Sequence, residues 1–97
     1  MDTAKTILEQ LGGNRFIAMT GAKMLVNHGD ALSFRLPRGT TNKANHVKVT
    51  LDALDTHTVT FTKIRGTDFK EVSSHEGVYN DSLQEVFTSE TGLFTRF

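Results

Sequence analysis

The chain of 97 residues contains no cysteine and no tryptophan, one proline and one tyrosine. The absence of cysteine removes disulfide staples, thiolate nucleophiles and sulfur-based metal sites together. The single proline, Pro37, leaves the backbone almost without obligatory breaks. No apolar run approaches the roughly 20 residues that a helix needs to span a bilayer, and the start MDTAKTILEQLGG has none of the basic-then-apolar order of a signal peptide. The expectation is a cytoplasmic protein with no membrane partner.

What is present is ordinary for a folded domain. Hydrophobic residues make up 37% and charged residues 23% of the chain, too apolar for wholesale disorder. At this length one core forms and a second does not, so residues 1–97 are read as a single domain. Seven phenylalanines supply most of its large core volume.

Periodicity predicts the elements. Ala4, Ile7, Leu8 and Leu11 recur at helical spacing behind a cap at Asp2 or Thr3, and Gly12-Gly13 ends that helix. Extended segments are expected at Arg15–Thr20, Lys23–Val26 and Ala31–Leu36, separated by Gly21-Ala22 and by the turn formers Asn27 to Asp30. His46–Leu54 alternates, with Val47, Val49 and Leu51 on one side and Lys48, Thr50 and Asp52 on the other. Thr58–Ile64 should pair with it as an antiparallel hairpin that ends at Arg65 to Asp68. A last helix is read either from a Ser73/Glu76 capping box or, because Gly77 weakens its early turns, from Asn80 or Asp81. Val78, Tyr79, Leu83, Val86 and Phe87 form its apolar stripe, and Leu93, Phe94 and Phe97 an apolar tail.

The sum is an α+β fold of two layers. An antiparallel sheet of four to five strands is covered on one face by an N-terminal and a C-terminal helix. Its other face is polar, lined by Thr50, Thr58, Thr60, Thr62, Lys48 and Lys63.

Charge is the feature that bears on function. Eleven basic residues balance eleven acidic ones, yet Arg35 to Lys48 holds Arg35, Arg38, Lys43 and Lys48 with no acid. From Thr67 to Phe97, six acids face two basic residues. A fold needs no such segregation, whereas recognition of a charged partner can use it. The basic stretch surrounds a loop of Gly, Thr and Asn, whose amides and hydroxyls add donors for phosphate. Four phosphate contacts would give a logarithmic salt slope of about −3.6 on duplex DNA. Arg35, Arg38, Lys43 and Lys48 are therefore the candidate nucleic-acid contacts. The alternatives are a solvated loop, or one that pairs with the acidic last helix. Glu85 and Glu90 on that helix are candidates for contact with a basic protein partner, a host or phage protein.

Catalytic and metal chemistry find no footing. His28, His46, His57 and His75 stand singly, without the three- or four-residue spacing of a metal pair. Ser73, Ser74 and His75 are adjacent, which does not aim a base at a nucleophile, and no G-x-S-x-G elbow occurs. Gly12-Gly13-Asn14-Arg15 follows a helix, the wrong order for a phosphate-cradling loop. No cofactor is implied. The order helix, strands, helix also occurs in double-stranded-RNA-binding domains, but those depend on a basic start to the last helix, and SSHEGVYNDSLQE is acidic there.

The run Asn14 to Lys23 (NRFIAMTGAK) resembles one found in a group of small uncharacterised proteins of bacterial phages, prophages and mobile elements. Leu32 to Pro37 (LSFRLP), Phe61 to Gly66 (FTKIRG) and Glu85 to Leu93 (EVFTSETGL) fit the same group. The resemblance implies an intracellular bacterial or phage setting. It carries over no activity and no catalytic residue. The reading is a small, non-enzymatic binding protein.

Overall fold

The computed structural model describes residues 3–37, 40, 42–52 and 55–93. Arg38, Phe94 and Phe97 lie outside them. Helices α1 (Thr3–Leu11) and α2 (Gly13–Thr20) open the chain, and five strands follow: β1 (Lys23–Asn27), β2 (Ala31–Arg35), β3 (His46–Leu51), β4 (His57–Arg65) and β5 (Asp68–Val78). One turn of 3₁₀ helix (Asn80–Ser82) leads into α3 (Leu83–Thr91). The strands form one antiparallel meander in the order β1-β2-β3-β4-β5. The fold is the expected two-layer α+β architecture.

Alternation along the strands sorts side chains between the faces. Leu32 and Phe34 on β2, Val47 and Val49 on β3, and Val59 and Phe61 on β4 are buried against the helices. The helices contribute Ala4, Ile7, Leu11, Phe16, Leu83 and Phe87 to the same core. At its centre three rings meet edge to face or tilted. Phe16 of α2 lies 5.2 Å from both Phe34 of β2 and Phe87 of α3, and Phe34 lies 6.1 Å from Phe87. Such pairs contribute beyond the area they bury, and this trio joins three elements remote in sequence.

Two expected elements are corrected. Arg15–Thr20 is helix, not strand. Phe16 and Thr20 fall one turn apart on the buried side, and the Thr20 hydroxyl donates to the Phe16 carbonyl at 2.7 Å. Gly12 and Gly13, with φ of 128° and 63°, turn the chain between two helices instead of releasing it into a strand. Ser73 and Glu76 do not cap a helix either, since both belong to β5. The ladder to β4 satisfies the backbone there, and Gly77 (φ 66°) lies where the register to β4 shifts between Val59 and His57. The last helix starts at the later of the two positions read from sequence, and Tyr79 is 65% exposed, outside its apolar stripe. The expected antiparallel hairpin of β3 with β4 is present, and its register sets Val47 opposite Phe61 and Val49 opposite Val59.

Candidate functional site

The face of the sheet away from the helices is built by register. Arg35 lies opposite His46, which lies opposite Thr62; Ser33, Lys48 and Thr60 form the next row, and Ala31, Thr50 and Thr58 the one after. Arg35 and Lys48 thus share the open face with Thr50, Thr58, Thr60 and Thr62. Lys63 does not, because two residues after Phe61 in β4 it shares the Phe61 side of the strand, toward the helices.

The structure adds a cation that sequence periodicity hides. Lys23 pairs with Arg35 while Val26 pairs with Ser33, so β1 spends one more residue than β2 between these rows. Met24, at φ 55°, lies within this β-bulge. Without it Lys23 would point to the helix side; with it, Lys23 stands beside Arg35. His28 closes the same region from the β1–β2 turn, where its Nε2 is hydrogen-bonded with the Ser33 hydroxyl at 2.7 Å. The mutual proximity of these groups is felt by His46. Burial lowers its pKa below the ordinary imidazole value, and the positive fields of Arg35, His28 and Lys48 lower it further.

Of the remaining candidates, Arg38 is among the residues not described. Lys43 lies in the β2–β3 connection on the other side of the sheet end, where Pro37, Thr40, Lys43, Ala44, Asn45, Lys63, Ile64 and Arg65 line an open cleft of about 630 Å³. The three of these cations that are described, Arg35, Lys43 and Lys48, therefore do not form one patch. Arg35 and Lys48 lie on the open face, and Lys43 joins Lys63 and Arg65 in a cleft around the corner. Both groups belong to the end of the sheet where β2 leaves and β4 runs out. The opposite end carries Asp30, Asp52 and Asp55 in its two turns.

The acidic candidates separate in the same way. Glu85 is exposed on α3. Glu90 is engaged within the chain: its Oε2 accepts from Asn42 Nδ2 at 3.0 Å and from Ser73 Oγ at 2.9 Å, and its Oε1 accepts from His75 Nε2 at 2.7 Å. The basic connection and the acidic helix do meet, but through the neutral Asn42. Ser73 and His75 each bond to Glu90 rather than to one another, so they form a structural tie of β5 to α3 and not a nucleophile–base pair. The His75 hydrogen bond, with those of Asn42 and Ser73, holds the Glu90 carboxyl below its ordinary pKa, against a smaller upward push from burial.

A carboxyl depressed in the folded state contributes stability above its unfolded pKa, about 4.3. That contribution is lost as pH falls through the lower folded value. Glu90→Gln is expected to cost about 1–2 kcal/mol above the carboxylate range, the scale of hydrogen bonds to a partly exposed charged group. It should also flatten the acid limb of a denaturant-measured stability profile. Wild type and variant with parallel acid limbs would show that the tie is not made in solution.

Comparison of the chain with protein-family models, curated proteins and solved structures finds no match. Among the described residues no helix is long and apolar enough to cross a membrane.

Proposed function

We propose that the protein acts by binding rather than catalysis, and that the open face of its sheet holds the phosphate backbone of a nucleic acid. The setting would be that of an accessory protein of a phage or mobile element, which is what the resemblance of its sequence segments implies. The observation that carries the reading is the gathering of Arg35 and Lys48 around His46, with Lys23 opposite Arg35 on β1, beside rows of threonine hydroxyls. Among the described residues, none of these three cations makes an ion pair. A cation held near others of its sign and left unpaired is electrostatically poised for an anion from outside. Threonine and serine hydroxyls are the neutral donors that accompany such contacts. Two acids meet this face away from the three cations: Glu71 of β5 lies opposite Thr62 at the edge remote from β1, and Asp52 accepts from the Thr58 hydroxyl at 2.8 Å beyond the end of β3.

The charge arrangement predicts both salt and pH dependence. Arg35→Ala with Lys48→Ala should leave the fold intact and lower the logarithmic salt slope of DNA binding by about 2, since each lost phosphate contact removes about 0.9. A polyanion that neutralises Arg35 and Lys48 also relieves the penalty on protonated His46. Affinity should then rise as pH falls toward the depressed His46 titration and level off below it, since proton uptake on binding is confined to the interval between the free and the bound pKa. His46→Gln should abolish that rise. Fluorescence anisotropy with a labelled duplex across salt and pH measures both. A salt slope unchanged in the double variant would remove Arg35 and Lys48 from the interface, and a protein that does not bind at low salt would end the reading.

A further inference from the structure

The cleft around Lys43 lies outside the face just assigned and is built more rigidly than a solvated loop requires. Asn45 acts as a side-chain extension of the β3–β4 ladder: its Nδ2 donates to the Ile64 carbonyl and its Oδ1 accepts from the Ile64 amide, both at 2.8 Å. The Asn45 amide donates to the Thr62 carbonyl at 3.1 Å, and its carbonyl accepts from the Leu36 amide at 2.9 Å. Asn45 is thus anchored to β4 and to the chain leaving β2. Above it, the buried Thr40 hydroxyl donates to the Ala44 carbonyl at 2.7 Å. The Lys43 amide donates to the Thr40 carbonyl at 3.1 Å. The Ala44 amide donates to Asn42 Oδ1 at 3.1 Å, and Asn42 is itself tied to Glu90.

Within this frame Lys43 is held at φ 66°. For a side chain with a Cβ this conformation is costly and persists only when its surroundings enforce it.

The electrostatics of the cleft are one-sided. Among the described residues, Lys43, Lys63 and Arg65 line it, and no acid does. On the adjoining hairpin Lys63 lies directly opposite Lys70, a like-charge cross-strand pair that costs stability. Asp68 lies opposite Arg65, and Glu71, opposite Thr62, follows Lys70 on the same strand. None of the four cations is ion-paired among the described residues. The volume of about 630 Å³ lies within the range of about 300–1,000 Å³ usual for small-molecule sites.

We propose that this cleft is a phosphate-monoester site, which takes the terminal phosphate of a nucleic-acid strand. A monoester carries close to two negative charges near neutral pH. It therefore suits several cations converging on one frame better than an internal diester, which carries one. The inference deepens the nucleic-acid reading and rests on it only for the source of the phosphate. The cleft and the open face share one end of the sheet, so a strand whose backbone crosses Arg35 and Lys48 can reach the cleft with its end.

The test compares oligonucleotides of one sequence carrying a 5′-phosphate, a 3′-phosphate or no terminal phosphate, by anisotropy on the full chain. The expected result is about tenfold tighter binding of one phosphorylated form, the factor that a charge-assisted contact supplies. Lys63→Ala with Arg65→Ala should bring that ratio to one. Arg35→Ala with Lys48→Ala should weaken all three oligonucleotides and keep the ratio. Lys63→Ala relieves a like-charge pair while Arg65→Ala removes the partner opposite Asp68. Urea denaturation of the double variant is therefore measured alongside, and an unchanged midpoint separates loss of the ratio from loss of the fold. Equal affinity for all three forms overturns the cleft proposal while the open-face reading stands. Should none of them bind, that reading fails, and titration of ¹⁵N-labelled protein with inorganic phosphate still tests the cleft. Amide shifts confined to Lys43–Asn45 and Ile64 then uphold it, and their absence overturns it.

Discussion

Phe34→Ala is expected to lower the stability of the protein by about 3–5 kcal/mol, the range for truncating a buried phenylalanine. For a domain of this size the total is only about 5–15 kcal/mol, so one substitution removes a large part of it. The reason is topological as much as volumetric. Phe34 is fully buried and touches both Phe16 and Phe87; its loss opens a cavity where α2, α3 and β2 meet. Phe69, on the exposed β4–β5 hairpin at 72% exposure, provides the contrast. Phe69→Ala should change stability by no more than about 0.5 kcal/mol. Urea denaturation of both variants checks the pair. Similar costs at the two sites would mean that the core is not organised around the aromatic trio.

The second large effect is on binding. The triple substitution Lys23→Glu, Arg35→Glu and Lys48→Glu should reduce affinity for DNA by a factor of order 10²–10⁴. Each reversal removes one attraction and adds one repulsion of about 1 kcal/mol or less in water, and three of them sum to about 3–6 kcal/mol. The informative member is Lys23, which only the bulge in β1 brings beside Arg35. Lys23→Glu alone should weaken binding about as much as Lys48→Glu alone. A control with two such reversals on the helices, Lys5→Glu with Arg15→Glu, changes the net charge by four against six for the triple variant and should leave affinity within a few-fold. If the control loses as much as the open-face variants, net charge rather than this face governs binding.

How much was legible beforehand depends on where the determining contacts lie. The alternation Val47, Val49 against Lys48, Thr50 fixed both the β3–β4 hairpin and the exposure of Lys48, because a period of two is local. The last helix was legible as two possible starts. Sequence alone could not choose between them, because Ser73 and His75 are held in β5 by the partner strand β4 and by Glu90, fifteen or more residues away. Arg15–Thr20 is ambiguous in sequence for a related reason. A six-residue apolar run suits a buried strand and a buried helix equally, and the decision came from Phe16 meeting Phe34 and Phe87.

By itself, then, the sequence determined the class of fold, the polar face of the sheet and the separation of basic from acidic residues along the chain. Tertiary structure decided what that separation means. Folding the chain as a meander turns its charge order into a difference between the two ends of one sheet, because successive connections alternate between those ends. It divides the basic stretch between an open face and a cleft, since strand pleating sends Arg35 and Lys48 one way while the β2–β3 connection carries Lys43 the other. It adds Lys23 through a bulge of one residue and Lys63 with Arg65 through strand pairing, and it withdraws Glu90 into an internal tie. Each of these outcomes depends on register and on contacts between residues distant in the chain, which no local pattern of residues encodes.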